Sequence, residues 1–118
     1  MLKVYCYSRC SICKKALKWL DDKGIKYELI DIKENHPSEE ELRKYHAMSG
    51  LPLKRFWNTS GIPYREMGLS KKLKEMSEDE QFALLATDGM LVKRPLVVGT
   101  GLLLAGFRER EWADQLLG

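Results

Sequence analysis

Alternation of polar and apolar residues opens the chain. Val4 and Cys6 fall on one side of an extended segment rich in β-branched and aromatic types, so residues 2–7 read as a first strand with Cys6 turned into the core. Ser8, Arg9 and Cys10 break that pattern. From Ser11 the period becomes helical: Ile12, Cys13, Ala16, Leu17 and Leu20 recur on one helix face. Gly24 stands where a helix C′ residue is expected, and Lys23 suits the negative helix end. Ile25, Tyr27 and Leu29 alternate again, which predicts a second strand ending near Asp31 and Ile32.

Residues 33–38 are polar, contain Pro37 and read as a loop. Ser38 with Glu41 forms a capping-box pattern, and the helix it starts runs to about Met48 and stops at Gly50. Pro52 fits the opening of a short helix through Trp57, closed by Asn58-Thr59-Ser60-Gly61. The Lys-rich stretch 69–76 reads as a loop with a short helix; Lys71, Lys72 and Lys74 form a solvated face. Ser77 and Glu80 repeat the capping box before another helix, whose end Gly89 marks. A strand starts after Pro95, Gly99-Thr100-Gly101 signals a hairpin turn, 102–105 is the return strand, and 109–117 is a last helix with Trp112, Leu116 and Leu117 on one side. Trp19, Phe56, Trp57 and Trp112 read as packing residues.

The order is β-α-β, several helices, then β-β-α. The first unit demands a parallel pair with a right-handed crossover, and the last an antiparallel hairpin under a covering helix. The expected fold class is α/β: a four-stranded mixed β-sheet flanked by helices, laid out as in thioredoxin-like proteins, with a helical insertion at about 38–88. A length of 118 residues fits one domain spanning 1–118, large enough for a core without staples. The net charge of +3 is too small to mark a nucleic-acid surface, so no direct nucleic-acid contact is expected. The start of the chain reads into a strand rather than a leader, and no run reaches the roughly 18–20 apolar residues of a membrane span. The expectation is a cytoplasmic protein, with no membrane contact. There thiols stay reduced, so a close cysteine pair speaks for chemistry rather than a staple, and three cysteines leave one outside any single pair.

That pair is Cys10-Ser11-Ile12-Cys13, placed where the first strand turns into the first helix. A helix N-terminus carries partial positive charge and unsatisfied N–H groups, and both favour a thiolate. Arg9, Lys14 and Lys15 add positive charge nearby. One turn of helix brings Cys13 within reach of a mixed disulfide on Cys10, which assigns Cys10 as nucleophile and Cys13 as resolving thiol. Zinc is not expected: there is no second cysteine pair, and His36 and His46 lie far along the chain and read as solvated. Cys6 reads as an inert core thiol. Ser8, Arg9 and Ser11 offer donors to an oxyanion beside Cys10. In thioredoxin-like folds a cis-proline before the third strand faces the reactive thiol; Arg94-Pro95 occupies that place, so Arg94 is the expected anion ligand.

The start Tyr-x-x-x-x-Cys-x-x-Cys-Lys-Lys-Ala, Gly50-Leu51-Pro52, Asn58-Thr59-Ser60-Gly61, Met67-Gly68-Leu69 and Lys93-Arg94-Pro95-Leu96-Val97-Val98 resemble the ArsC/Spx family over almost the whole chain. The resemblance implies one of two functions. ArsC enzymes reduce arsenate with one cysteine and glutathione or glutaredoxin, and three arginines surround the anion. Here the cysteine matches Cys10 and one arginine matches Arg94. A second arginine position falls on Asn58, and the third near Gly106 with Arg108 beside it. Two of the three arginines are thus missing, which weakens the case for arsenate. Spx proteins use Cys-x-x-Cys as a redox switch and bind the C-terminal domain of the RNA polymerase α subunit. The leading expectation is a thiol–disulfide oxidoreductase similar to glutaredoxin-coupled arsenate reductase. Its substrate would be a small oxyanion or disulfide. It would hold no bound cofactor and no metal, and glutathione, glutaredoxin or thioredoxin would be its reductant. The alternative is an Spx-like regulator partnered by the RNA polymerase α subunit.

Overall fold

The computed structural model describes residues 1–118. Its sheet has the order β2-β1-β3-β4, built from β1 (Leu2–Cys6), β2 (Tyr27–Asp31), β3 (Leu96–Gly99) and β4 (Leu102–Ala105). β1 runs parallel to β2, with Leu2 opposite Tyr27 and Cys6 opposite Asp31. It runs antiparallel to β3, with Val4 opposite Val97. β3 and β4 form the hairpin, Leu96 opposite Ala105. The expected mixed four-stranded sheet is therefore present.

Strand periodicity divides the core in two, because successive side chains point to opposite faces. On one face Val4, Cys6, Val97 and Leu104 pack against Cys13, Ala16, Trp19 and Leu20 of α1 (Ser11–Asp22) and Trp112 of α6 (Glu109–Leu116). Trp112 is fully buried, its ring 4.8 Å from Phe107, and its indole N–H donates to the Gly106 carbonyl at 3.0 Å. On the other face Tyr5, Leu96, Leu103 and Ala105 meet the residues of the helical insertion, among them Leu42, Phe56, Trp57, Phe82 and Leu85.

That insertion holds α2 (Glu39–Ser49), α3 (Ile62–Glu66), α4 (Leu69–Lys72) and α5 (Glu78–Leu85), with tight 3-10 turns at Leu53–Phe56, Leu73–Glu75 and Gly89–Leu91. Both capping boxes form: Ser38 and Glu41 at α2, Ser77 and Glu80 at α5, each serine hydroxyl accepting the N–H three residues on. Gly24 takes φ +69° just past the end of α1, the left-handed turn a side chain would strain.

Several expectations need correction. Between Gly61 and Leu69, where the sequence reading assigns no element, Pro63 in the first turn seeds α3, since its fixed φ is already helical. Leu29 is 55% exposed, because β2 lies at the sheet edge with no helix laid over that position. Leu117 is 52% exposed: α6 ends at Leu116 and leaves it beyond the packed face. Gly89 does not end α5, which closes at Ala86; it begins the next 3-10 turn, where the Asp88 carboxylate accepts the Met90 N–H at 2.8 Å. His46 is half-buried and edge-on to Phe56 and Phe82, at 5.7 and 5.5 Å between ring centres, rather than solvated. No helix is long and apolar enough to cross a membrane.

Candidate active site

The site forms where β1 ends and α1 begins. Cys10 is the N-cap residue of α1, in extended backbone, and its sulfur accepts the Cys13 N–H at 3.4 Å. The Cys10 N–H donates to the Tyr7 carbonyl at 3.0 Å, closing the loop that carries Ser8 and Arg9. A sulfur thus stands where a serine hydroxyl would ordinarily cap. Cys10 is half-buried, whereas Cys13, three residues into the helix, is 1% exposed.

A second strip of chain brings in Asn58 and Arg94. Trp57 and Val92 form an isolated antiparallel bridge. The Asn58 N–H donates to the Leu91 carbonyl and the Lys93 N–H to the Phe56 carbonyl, both at 2.8 Å. The Met90 carbonyl then accepts from the Asn58 amide at 3.3 Å and from the Arg94 guanidinium at 3.5 Å. The Arg94–Pro95 bond is cis, as expected. The Arg94 guanidinium lies over the Tyr7 ring, 5.3 Å from its centre, and its Nε is buried with no hydrogen-bond partner. A buried, unpaired N–H on a cation favours an anion, since an orphaned donor is costly to desolvate.

Two clefts flank this loop. A cleft of about 460 Å³ is lined by Arg9, Cys10, Ser11, Asn58 and Arg94, along with Tyr7, Lys93 and Phe107. It adjoins a second basic hollow holding Lys54, Arg55, Lys93 and Arg108, and neither contains a carboxylate. Near Gly106, where an arginine is missing from the family pattern, the hollow is lined by Lys93 and Arg108. The opposite cleft, about 420 Å³, is lined by Cys6, Tyr7, Ser8, Cys13, Lys14, Leu17, Leu29 and Asp31. Ser8 and Cys13 therefore open away from Cys10, and Pro95 lines neither cleft; its carbonyl accepts the Gly106 N–H at 2.9 Å. Tyr7, Lys93 and Phe107 are site residues that motif reading passes over. Only Lys93, adjacent to Arg94-Pro95, carries a signal in the sequence.

The thiols share charge unevenly. Cys13 is lowered to about 6. The largest cause is a hydrogen bond from the Cys6 thiol; burial opposes it, and the Tyr7 N–H, the Cys10 thiol and the Arg94 charge assist. Cys6 is pushed far upward, first by serving Cys13 and then by burial. The strand-to-helix turn thus gathers donors on the inner sulfur, a feature that the sequence pattern does not show. Reduced protein should show one thiolate by ultraviolet absorbance with a midpoint near 6, protonated below that pH and charged above it. Cys6→Ala removes the largest stabilising donor and should move the midpoint upward, toward an ordinary thiol value of about 8.5. Cys6→Ser keeps a donor and should move it less. An unchanged midpoint in Cys6→Ala would contradict this account.

No group of three or more His, Cys, Asp or Glu side chains is placed to hold a metal ion. The ArsC family profile matches residues 5–115. This chain belongs to the ArsC family. Among relatives of this ArsC-family protein, YusI of Bacillus subtilis, an uncharacterised protein, is 49% identical over 113 residues, 96% of each chain. A crystal structure of an ArsC family related protein from Bacteroides fragilis is 49% identical, covers 96% of this chain and 95% of its own, and superposes with a TM-score of 0.94. An arsenate reductase from Vibrio cholerae is 27% identical over 98% and 95% of the two chains, TM-score 0.78. The global transcriptional regulator Spx 2 of Bacillus anthracis is 22% identical over 94% of this chain and 83% of its own.

Proposed function

We propose that this protein is a thiol–disulfide oxidoreductase of the arsenate reductase kind, with Cys10 as nucleophile and Cys13 as resolving thiol. The observation that carries the reading is that Cys10 lines the basic cleft while its sulfur accepts the N–H of Cys13 at 3.4 Å, one helical turn on. In the reaction, the Cys10 thiolate attacks one sulfur of a substrate disulfide, forms a mixed disulfide and expels the other sulfur as a thiolate. The Cys13 thiolate then attacks the Cys10 sulfur, forms the Cys10–Cys13 disulfide and releases the second substrate thiolate. Two electrons pass from the dithiol to the substrate. A thiol reductant, either glutathione or the dithiol of glutaredoxin or thioredoxin, returns them. Because Cys6 and Tyr7 keep donating to Cys13 after Cys10 is occupied, the resolving thiolate is ready as soon as the mixed disulfide forms. Arg94 orients an anionic group of the substrate through its unpaired Nε. Asn58, Arg9 and Ser11 complete the wall around it, with Ser8 and Pro95 holding the loop and strand behind. The carboxylate-free clefts favour an anionic substrate, an oxyanion included.

The test is a Cys13→Ser variant given substrate under oxidising conditions. The mixed disulfide on Cys10 should persist and be seen as an intact-mass adduct, whereas the wild-type protein should show none. Absence of any adduct in the variant would refute the two-thiol sequence. A second reading, a redox-switched regulator, draws on the Spx 2 likeness. It requires a redox-dependent complex with the RNA polymerase α subunit and no turnover; multiple turnovers with glutathione or a dithiol protein decide for the enzyme.

A further inference from the structure

The thiol that the two-cysteine sequence leaves idle is Cys6. It lies at the end of β1 with 4% exposure, packed in the same core cluster as Cys13 and lining the same cleft. The Cys10 sulfur accepts the Cys13 N–H at 3.4 Å, so Cys13 adjoins both of the other cysteines. Cys10 lines the basic cleft, while Cys6 and Cys13 together line the separate cleft that Cys10 does not touch. That opposite cleft carries the exposed Leu29 and the half-buried Leu17 at its wall.

We propose that Cys6 is a third redox thiol, which takes over the disulfide from Cys10 and presents it as Cys6–Cys13 in the second cleft. The inference rests on the function proposed above, which supplies the Cys10–Cys13 disulfide. In the exchange the Cys6 thiolate attacks the Cys13 sulfur. The Cys6–Cys13 bond forms, the Cys10–Cys13 bond breaks, and Cys10 leaves as a thiolate that takes up the proton Cys6 gives away. Nothing is oxidised or reduced overall, so no further reagent is needed. Once Cys13 is in a disulfide it carries no charge, so its hydrogen bond and repulsion no longer hold Cys6 protonated; burial still opposes ionisation and the Arg94 charge assists it. The departing Cys10 sulfur emerges at the N-terminus of α1, against the Cys13 N–H and the positive helix end. The result is a free Cys10 facing the substrate cleft, with the disulfide held on the opposite side for a reductant. The two half-reactions then use separate faces.

Trypsin makes this readable, because it cuts after Lys3, Arg9 and Lys14. Cys6 falls in peptide 4–9, and Cys10 with Cys13 in peptide 10–14. Reduced full-length protein is oxidised with one equivalent of diamide. Samples are quenched over time by alkylating free thiols, and the monomer is digested and mapped by mass spectrometry. The expected course is peptide 10–14 with an internal disulfide first. A joined species of 4–9 and 10–14 follows, alkylated at Cys10, and is absent in Cys6→Ser, where the internal disulfide remains. If peptide 10–14 is oxidised throughout while Cys6 stays fully alkylated, or if Cys6 is joined to Cys10, the relay is wrong and the two-thiol reading stands. If peptide 10–14 never forms its internal disulfide, both fall together.

Discussion

Cys10→Ser should abolish turnover while leaving the fold intact. The nucleophile is the one group that bonds to the substrate, and a hydroxyl without a base beside it is a poor substitute for a thiolate, so the loss should be roughly a thousand-fold or more. Removing a nucleophile often disturbs its surroundings as well, and here it should not. Cys10 is half-buried, and its sulfur serves structurally as the N-cap acceptor for the Cys13 N–H. Serine is a preferred residue at that position, so its Oγ should take the same bond with at least equal strength. Steady-state assay with a small disulfide and glutathione, beside urea unfolding, separates the two effects. Lost activity with unchanged stability is the expected pair of results. Residual activity above about one per cent, a loss of about a hundred-fold at most, would place the nucleophile elsewhere.

Gly89→Ala should be among the most destabilising single-methyl changes in the chain, at about 3 kcal/mol or more, the upper end of overpacking. Gly89 is buried, and a Cβ there would overlap the Ile32 carbonyl oxygen and crowd the His36 side chain. The obstacle is backbone at the end of β2, which cannot rotate aside as a flexible side chain would. The strip beyond Gly89 carries Met90 and Leu91, whose carbonyls hold Asn58 and Arg94. The damage should therefore reach the active site, with substrate affinity falling before the protein unfolds. Gly24→Ala is the control: a Cβ there meets open space, so it should cost only the left-handed backbone strain, about 1 kcal/mol. Urea denaturation of both variants decides it; equal midpoints would mean that the Gly89 contact relaxes freely.

Much of this protein could be read from its sequence, and for a common reason. Period and capping are local: the alternation of Val4 with Cys6, the helical recurrence from Ile12 to Leu20 and the two Ser-x-x-Glu boxes depend on residues within a few positions of each other, and each forms as expected. Cys10 at a helix start next to Cys13 is local too. So is Arg94 before a cis-proline, once the fold is granted.

What the tertiary structure decided are the facts that depend on which distant segments meet. Gly89 resembles a helix stop until the close approach of Ile32, 57 positions earlier in the numbering, gives it another purpose. Leu29 fits an alternating strand, but only the sheet order β2-β1-β3-β4 puts it on an uncovered edge. The sequence placed Cys6 in the core but had no means of saying that its neighbour there is Cys13. That contact favours the thiolate form of the inner sulfur, Cys13. The sequence by itself determined the elements and the reactive motif, because both are written in short-range spacing. The structure alone decided which thiol gathers the hydrogen-bond donors, which cleft each thiol lines and which cations stand near Gly106, because solvation and charge are set by neighbours in space.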